Sequence, residues 1–499
     1  MGAAVILEAT EIAPGARLEA DICIVGSGPA GLAIADRLAG GKRQVLVLES
    51  GGLTPDPAVQ QLYEGDLIGR PYFPLDACRI RGFGGSSGCW AGLCRPLDPE
   101  DFEARPYVPE SGWPITRADL DPWYAEAERF LGLKGPGWDS PRWHAPQAAP
   151  WKFADPRVAS TFFKLSAPIR LAQTMPGPMR AAANVRVIVG ASLTRIGLAP
   201  GGRQVQALHA RRTLGDAGFT VVARRYVLAC GGIENARLLL ASDDVQRGGV
   251  GNGHDLVGRY FMEHPHTDGE GLLLGSPALP PASFYQRHTR LGQPIWGSLG
   301  LTAEARAQEG LLAATVVLLP RRDQPRALEE PLRLAMADTD APGQPLPKAG
   351  VAFTFGTPSE QIPDRDSRVL LGGERDRLGL PRVRLDWRVS PVDARSVART
   401  HEILAEALAR SGFGRIRLTL PTAGPFPAHT GGGRHHMGTT RMHADPARGV
   451  VDADCRVHGV ADLYIAGSSV FTTSGSANPT LSIVALARRL AAHLDVALP

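Results

Sequence analysis

The apolar positions of this chain fall into short runs separated by glycine-rich turns and into a few stretches of helical period. The first run, Ile22-Cys23-Ile24-Val25, is short and continuously apolar, as a strand buried on both faces of a parallel sheet should be. It passes through Gly26-Ser27-Gly28-Pro29-Ala30-Gly31 into a predicted helix, Leu32 to Leu38, and then into a second apolar run, Val45-Leu46-Val47-Leu48, closed by Glu49 and Ser50. Asn184 to Val189 reads as another strand. Tyr226-Val227-Leu228-Ala229-Cys230 repeats the strand logic and enters a helix over 234–241 through Gly231-Gly232. Between 266 and 425 the pattern changes. Longer alternating strands are predicted at Ala313–Leu319 and Arg382–Trp387, a helix at Asp393–Arg410, and a Pro/Asp/Ala-rich loop near 323–349. A strand at Leu463-Tyr464-Ile465-Ala466-Gly467 and an amphipathic helix over 479–494 finish the chain.

The glycines of the first turn have separate tasks. Gly26 makes the tight turn, Gly28 lets backbone approach a pyrophosphate, and Gly31 lets helix and strand pack closely. Pro29 and Ala30 open the helix, whose free N–H groups face the phosphates, and Glu49 stands where an acid binds ribose hydroxyls. A lone G-x-G-x-x-G is weak evidence; here it sits between a strand and a helix. A second glycine-rich stretch, Arg81-Gly82-Phe83-Gly84-Gly85-Ser86-Ser87-Gly88-Cys89-Trp90, offers room for a flat ring system and a phosphate.

Composition narrows the class without choosing the chemistry. The 499 residues allow two or three domain equivalents, and 43% apolar with 21% charged residues is ordinary for a soluble globular protein. No apolar run has bilayer-spanning length, so no membrane insertion is expected. Met1 to Glu8 lacks the basic region of a secretory signal, and six cysteines are sparse, which together predict a reducing, cytoplasmic setting. A net charge of +4, with bases only in pairs such as Arg211-Arg212, predicts no nucleic-acid partner.

Near the C-terminus stands His435-His436-Met437-Gly438-Thr439, followed by Ser476-Ala477-Asn478-Pro479-Thr480. An alcohol donates hydride only as its O–H proton leaves, so a base must stand beside the carbinol; imidazole, with an unperturbed pKa of about 6.5, suits this. Adjacent histidines on an extended segment cannot both point into one pocket. They could equally be surface loop residues. A metal set of His435, His436 and His443 lacks a carboxylate or cysteine at ligand spacing. Asn478 could cap the following helix, with Pro479 in its favoured first-turn place.

Taken in order, Val25–Glu49, 82–90, 226–240, Val257-Gly258-Arg259 with Met262-Glu263-His264-Pro265, and 435–486 resemble the glucose–methanol–choline (GMC) flavoprotein oxidoreductases, most of all their pyranose-oxidase and sugar-dehydrogenase side. The resemblance spans nearly the whole chain. It implies an α/β fold in which a Rossmann-like FAD-binding domain is interleaved with a second, α+β substrate-binding domain on an antiparallel sheet. Residues 15–100, 180–265 and 426–499 are expected in the first domain and 101–179 and 266–425 in the second. It also implies an FAD-dependent oxidation of an alcohol, here of a sugar or sugar-like compound, with O2 or a quinone-like molecule accepting the electrons.

By the H-x-x-G-T spacing His435 resembles the family's base, and Asn478 its second catalytic position, where an amide can orient the substrate oxygen but not take its proton. The resemblance assigns FAD to Gly26, Gly28, Pro29, Ala30, Gly31, Glu49, Ser50, Arg81, Gly84, Gly85, Ser86, Ser87, Cys89, Trp90, Ala229, Gly231, Ala466, Gly467, Pro479 and Thr480. The N-terminus of helix 479–494 would face the flavin's N1–C2=O edge and favour negative charge there. Where relatives attach FAD through a His, this loop has Cys89 or Trp90, so non-covalent FAD is expected, with a cysteinyl link the lesser alternative.

Cys89 and Cys94 also have the C-x4-C spacing of disulfide-reducing flavoproteins, an alternative that lacks a second dinucleotide fingerprint, since Gly249-Val250-Gly251 has neither the third glycine nor a preceding strand. Trp113, Trp123, Trp138, Trp143 and Trp151, with Tyr285 and Trp296, are candidate stacking platforms for a sugar or simply core. Glu263 and Glu360 are the acids that could meet a cationic substrate.

Overall fold

The computed structural model describes residues 6–166, 170–320, 352–421 and 424–497; the loop expected near 323–349 lies outside the described residues. The strand Arg17–Val25 is solvated over its first half and buried over Ile22–Val25, the apolar run. It pairs in parallel with Val45–Leu48 on one side and with Gly218–Leu228 on the other. Val185–Val189 adds beyond Val45–Leu48, and Ile6–Glu8 beyond that, both parallel. The late strand Leu463–Ile465 pairs in parallel with Tyr226–Leu228. A meander, Ala191–Leu198 and Val205–Arg212, extends the first half of Gly218–Leu228 antiparallel, giving eight strands in all. The helices Pro29–Leu38 and Thr480–Val496 pack against each other beside this sheet.

Two antiparallel sheets make the other body. Pro265–Gly275 lies between Ala352–Pro358 and Gly414–Leu418, with Val317–Pro320 at the far edge. Val158–Leu165 pairs with Gln293–Leu301 and with Leu93–Cys94. The helix Pro391–Arg410 starts at a capping box of Ser390 and Asp393 and buries Leu404 and Leu408 against Leu273, Phe353 and Phe355. Each such leucine contributes roughly 1.5–3 kcal/mol of apolar burial. The α/β assignment, with a Rossmann-like sheet and a second body on antiparallel strands, describes this molecule.

Two predicted strands shift. The one expected over Ala313–Leu319 is regular only over Val317–Pro320, because the Ala313 N–H and C=O are both taken by Glu360. Pro381–Asp386 does not join the substrate-side sheets; it forms a hairpin with Arg368–Arg375 and pairs in parallel with Gly65–Leu67. Arg237, on the helix Gly231–Ala241, ties that hairpin down through Asp376 at 2.7 Å. No described helix is long and apolar enough to cross a membrane.

Candidate active site

The carboxyl ends of the parallel strands open into a cleft of about 470 Å³. Residues from both ends of the chain line it: the fingerprint turn, the 81–90 loop, Ala229 and Gly231, then His435, Gly467, Asn478, Pro479 and Thr480. Of the expected cofactor residues, Gly26, Gly28, Pro29, Ala30, Glu49, Ser50, Arg81, Gly85, Ser86, Ser87, Cys89 and Trp90 also face it. Gly31, Gly84 and Ala466 do not. A Cβ on Gly31 would run into the Gly26 carbonyl oxygen, so its role is close helix–turn packing; a Cβ on Gly84, at φ 85°, would meet the Ala172 nitrogen at 2.5 Å. Ala466 spends its N–H on Leu228 and its carbonyl on Asn235.

Other glycines leave room instead. A Cβ on Gly28, Gly231 or Gly467 would meet no protein atom, and all three face the cleft. Their hydrogens mark a surface that an extended dinucleotide can approach closely, and the first helix points its N-terminus at it. FAD fits this cradle. Glu49 is already engaged: it accepts the Ser27 N–H at 2.9 Å, the Ser27 hydroxyl at 2.6 Å and the Gly51 N–H at 2.8 Å. It therefore shapes the turn as well as facing the cleft. Arg81 donates to Glu234 and Ser50, each at 2.7 Å, and lies over the Tyr63 ring, so its charge is neutralised by protein.

The two adjacent histidines point apart. His436 Nε2 lies 3.0 Å from the Tyr72 hydroxyl. His435 meets Asn478 Nδ2 at 3.2 Å through Nε2, and His264 Nδ1 at 2.9 Å through Nδ1. The local backbone explains this. Segments 262–265 and 432–437 run antiparallel, Met262 paired with Met437 and Pro265 with Gly432. Between those pairs one strand has two residues, 263 and 264, and the other four, 433 to 436, which is a bulge. Arg434 forms its tip at φ 61°. Gly433 has no side chain because a Cβ would come within 2.7 Å of both His266 and His435.

Glu263 fills the bulge. Its carboxylate accepts the N–H groups of Gly433 (3.0 Å), His264 (3.0 Å) and His435 (2.8 Å), and the Tyr72 hydroxyl. Burial pushes this carboxyl up to about 7, against the pull of those donors. Burial, reinforced by the neighbouring His264, His266 and His436, holds His435 well below its ordinary range, and burial, with His266 adding to it, takes His264 to about 4 against the pull of the Ser474 carbonyl. His435 is thus an unprotonated imidazole at neutral pH. Sequence reasoning chose His435 and Asn478, assigned no role to His264 or Tyr72 around them and offered Glu263 only to a cationic substrate; the Met-Glu-His-Pro run was the available signal.

Several expectations are corrected. Asn478 makes no helix cap: Pro479 already has helical angles, the helix begins at Thr480 without a side-chain cap, and the amide is turned to His435. None of Trp113, Trp123, Trp138, Trp143, Trp151, Tyr285 and Trp296 lines the cleft. Trp143 and Trp151 pack with Phe162 and Tyr285 in the second core, and Trp113 packs on Phe471. The two acids offered to a cation are committed elsewhere, Glu263 in the bulge and Glu360 in a buried pair with Arg105. Cys89 and Cys94 are free thiols, Cys89 exposed and Cys94 buried in a sheet, where burial raises its pKa; the disulfide-reductase alternative has no redox pair here. Among the described residues no group of three or more His, Cys, Asp or Glu side chains is placed to hold a metal.

Residues 363–487 match the model of the GMC oxidoreductase C-terminal domain. The chain is 25% identical to the fructose dehydrogenase large subunit of Gluconobacter japonicus over 95% of its length and 97% of that protein's. It is 25% identical to paromamine 6'-oxidase of Streptomyces fradiae over 94% of its length and 90% of that protein's. Among solved structures, pyridoxine 4-oxidase from Mesorbium loti superposes with a TM-score of 0.59 at 20% identity, covering 95% of this chain and 98% of the other. The chain carries a GMC oxidoreductase C-terminal domain over 363–487 and is an FAD-dependent oxidoreductase.

Proposed function

We propose that this GMC-type flavoprotein oxidises an alcohol group of a sugar or sugar-like compound to the carbonyl, with His435 as base and Asn478 as the group that orients the substrate oxygen. The observation that carries the reading is the facing pair at the cleft: Nε2 of an imidazole that burial keeps neutral and the Asn478 amide nitrogen, 3.2 Å apart. An alcohol oxygen beside the pair would take over the Asn478 N–H, accepting a hydrogen bond from Nδ2, and so free the Nε2 lone pair to receive its proton. Bound along Gly28, Gly231, Gly467 and the Thr480 end of the last helix, FAD supplies a hydride acceptor at N5. The amide cannot take a proton, so deprotonation rests on His435 alone.

Names among the relatives, fructose dehydrogenase and paromamine 6'-oxidase, favour a sugar-like substrate. The division into a cofactor body (15–100, 180–265, 426–499) and a substrate body (101–179, 266–425) is part of this reading, as are O2 or a quinone-like compound as acceptor, non-covalent FAD beside an unmodified Cys89, and a cytoplasmic setting suited to free thiols. Anaerobic mixing of the yellow protein with a panel of sugars and alcohols tests it: at least one should bleach the flavin. Reoxidation by air or only by a quinone dye then separates oxidase from dehydrogenase. Failure of every alcohol to bleach it would overturn the reading.

A further inference from the structure

We propose that His264 is a positioning residue that fixes the tautomer of His435, using the backbone carbonyl of Ser474 as its reference. The inference rests on the proposed role of His435 and adds the means by which that role is set. Three contacts in series define it: Ser474 O to His264 Nε2 at 3.2 Å, His264 Nδ1 to His435 Nδ1 at 2.9 Å, and His435 Nε2 to Asn478 Nδ2 at 3.2 Å.

The directions follow from what each end can do. A carbonyl oxygen only accepts, so His264 carries its proton on Nε2. A neutral imidazole with one N–H has a bare second nitrogen, so His264 Nδ1 accepts. The nitrogen facing it, His435 Nδ1, must therefore donate, which leaves His435 Nε2 bare. At the far end the Asn478 amide donates into that lone pair, and all three contacts are satisfied at once. The opposite tautomer of His435 would set two lone pairs against each other at His264 and two N–H groups against each other at Asn478. Burial supports this by keeping both rings neutral: His264 is fully buried and held at about 4. A protonated His264 would present an N–H to His435 Nδ1 and reverse the series.

The arrangement depends on the bulge. The two extra residues of 433–436, with Gly433 leaving space for the His435 and His266 rings, bring His435 round to face His264 across the strand pair. A base whose active nitrogen is the remote one needs a fixed partner on the near one, as metal-bound and triad histidines do.

The test reads protonation directly. In holoprotein labelled with 15N-histidine, the His435 signals are assigned by difference against His435→Gln. At pH 7 the wild type should show a protonated Nδ1 and a bare Nε2; a protonated Nε2 would overturn the proposal. This readout needs no substrate, so it separates failure here from failure of the alcohol-oxidation reading. Rates give the second arm. His264→Gln, whose side-chain amide reaches the Nε2 position but offers no acceptor where Nδ1 stood, should retain flavin and lower the limiting rate of flavin reduction by roughly tenfold to a hundredfold with KM little changed. His264→Asn places its amide oxygen near the Nδ1 position and should recover most of that loss. Equal rates in both variants, or a loss confined to KM, would mean that His264 only packs.

Discussion

A carboxylate oxygen of Glu263 accepts the backbone N–H of His435 at 2.8 Å, across 172 positions of sequence. The same carboxylate holds Gly433 and His264, so one acid sets the path of the segment that carries His435, the proposed base. Replacing it with Gln substitutes an N–H2 for an acceptor that faces several N–H groups. Glu263→Gln should cost about 1–3 kcal/mol of stability and slow flavin reduction together, read from denaturant unfolding and stopped-flow traces on one preparation. A variant as stable as wild type would show that the bulge holds without it.

His435 and His436 diverge by geometry, and their variants should diverge in effect. His435→Ala should keep its flavin yet lose reduction by roughly 10²–10⁴-fold. His436→Ala removes a contact to Tyr72 and a buried ring, so it should cost stability and leave most of the rate. Asn478→Ala retains the base and should fall between them. Equal losses at 435 and 436 would refute the assignment of the base.

Gly28 and Gly31 lie three residues apart in one motif yet face different neighbours. Gly28→Ala puts a methyl into open cleft space, so the protein should unfold at an unchanged temperature while its flavin content drops. Gly31→Ala puts that methyl against the Gly26 carbonyl and should destabilise the apoprotein itself. Absorbance at 450 nm and melting of flavin-stripped protein distinguish the two.

Acid sensitivity has a definite sign. Burial holds His264 and His401 at about 4 and His436 at about 3, whereas unfolded histidines protonate near 6.5. The unfolded chain binds more protons in between, so this contribution is complete above pH 6.5 and declines as pH falls toward 4. Glu263 and Asp393, both raised to about 7 by burial, act oppositely: their contribution is complete below the ordinary carboxyl pKa and is lost as pH rises toward 7. A difference measurement isolates one group. His401 lies away from the cleft with Nε2 on Thr357, and His401→Gln should flatten the stability slope between pH 6.5 and 4.5 by one proton, about 1.4 kcal/mol per pH unit. An unchanged slope in urea titrations at several pH values would count against burial as the cause.

The Arg105–Glu360 pair is almost wholly buried, with Glu360 also accepting the Ala313 N–H at 3.0 Å. Arg105→Ala strands a buried carboxylate and should cost about 3–5 kcal/mol. The double variant Arg105→Met with Glu360→Gln removes the charge as well and should recover much of that loss, measured by urea unfolding.

The nucleotide half of the molecule was legible in the sequence because its signals are local. Ile22–Val25, the glycine turn and Val45–Leu48 each announce their own geometry, and the cleft forms where their strand ends meet. His435 and Asn478 were legible through motif order rather than through any local rule. The partners of His435 were not, because opposing His264 across a strand pair depends on register, and the bulge that sets it carries no mark beyond Gly433. The tryptophans stayed ambiguous for a related reason: a loop-rich, aromatic stretch reads alike whether its rings face ligand or core, and here Trp143 and Trp151 enter the core of the antiparallel sheets while Trp113 packs on Phe471.

The strand Leu463–Ile465 completes the parallel sheet beside Tyr226–Leu228, and the segments carrying His435 and Asn478 flank it in sequence. During synthesis from the N-terminus the fingerprint turn can therefore form long before His435 and Asn478 exist. Until then a growing chain lacks the wall of the cleft that Gly467, Pro479 and Thr480 supply, and the edge at Tyr226–Leu228 has no Leu463–Ile465 to pair with. Reactivity is the last property this polypeptide acquires, and a chaperone that shields that edge should raise the yield of active protein more than it changes the rate of any molecule that has finished folding.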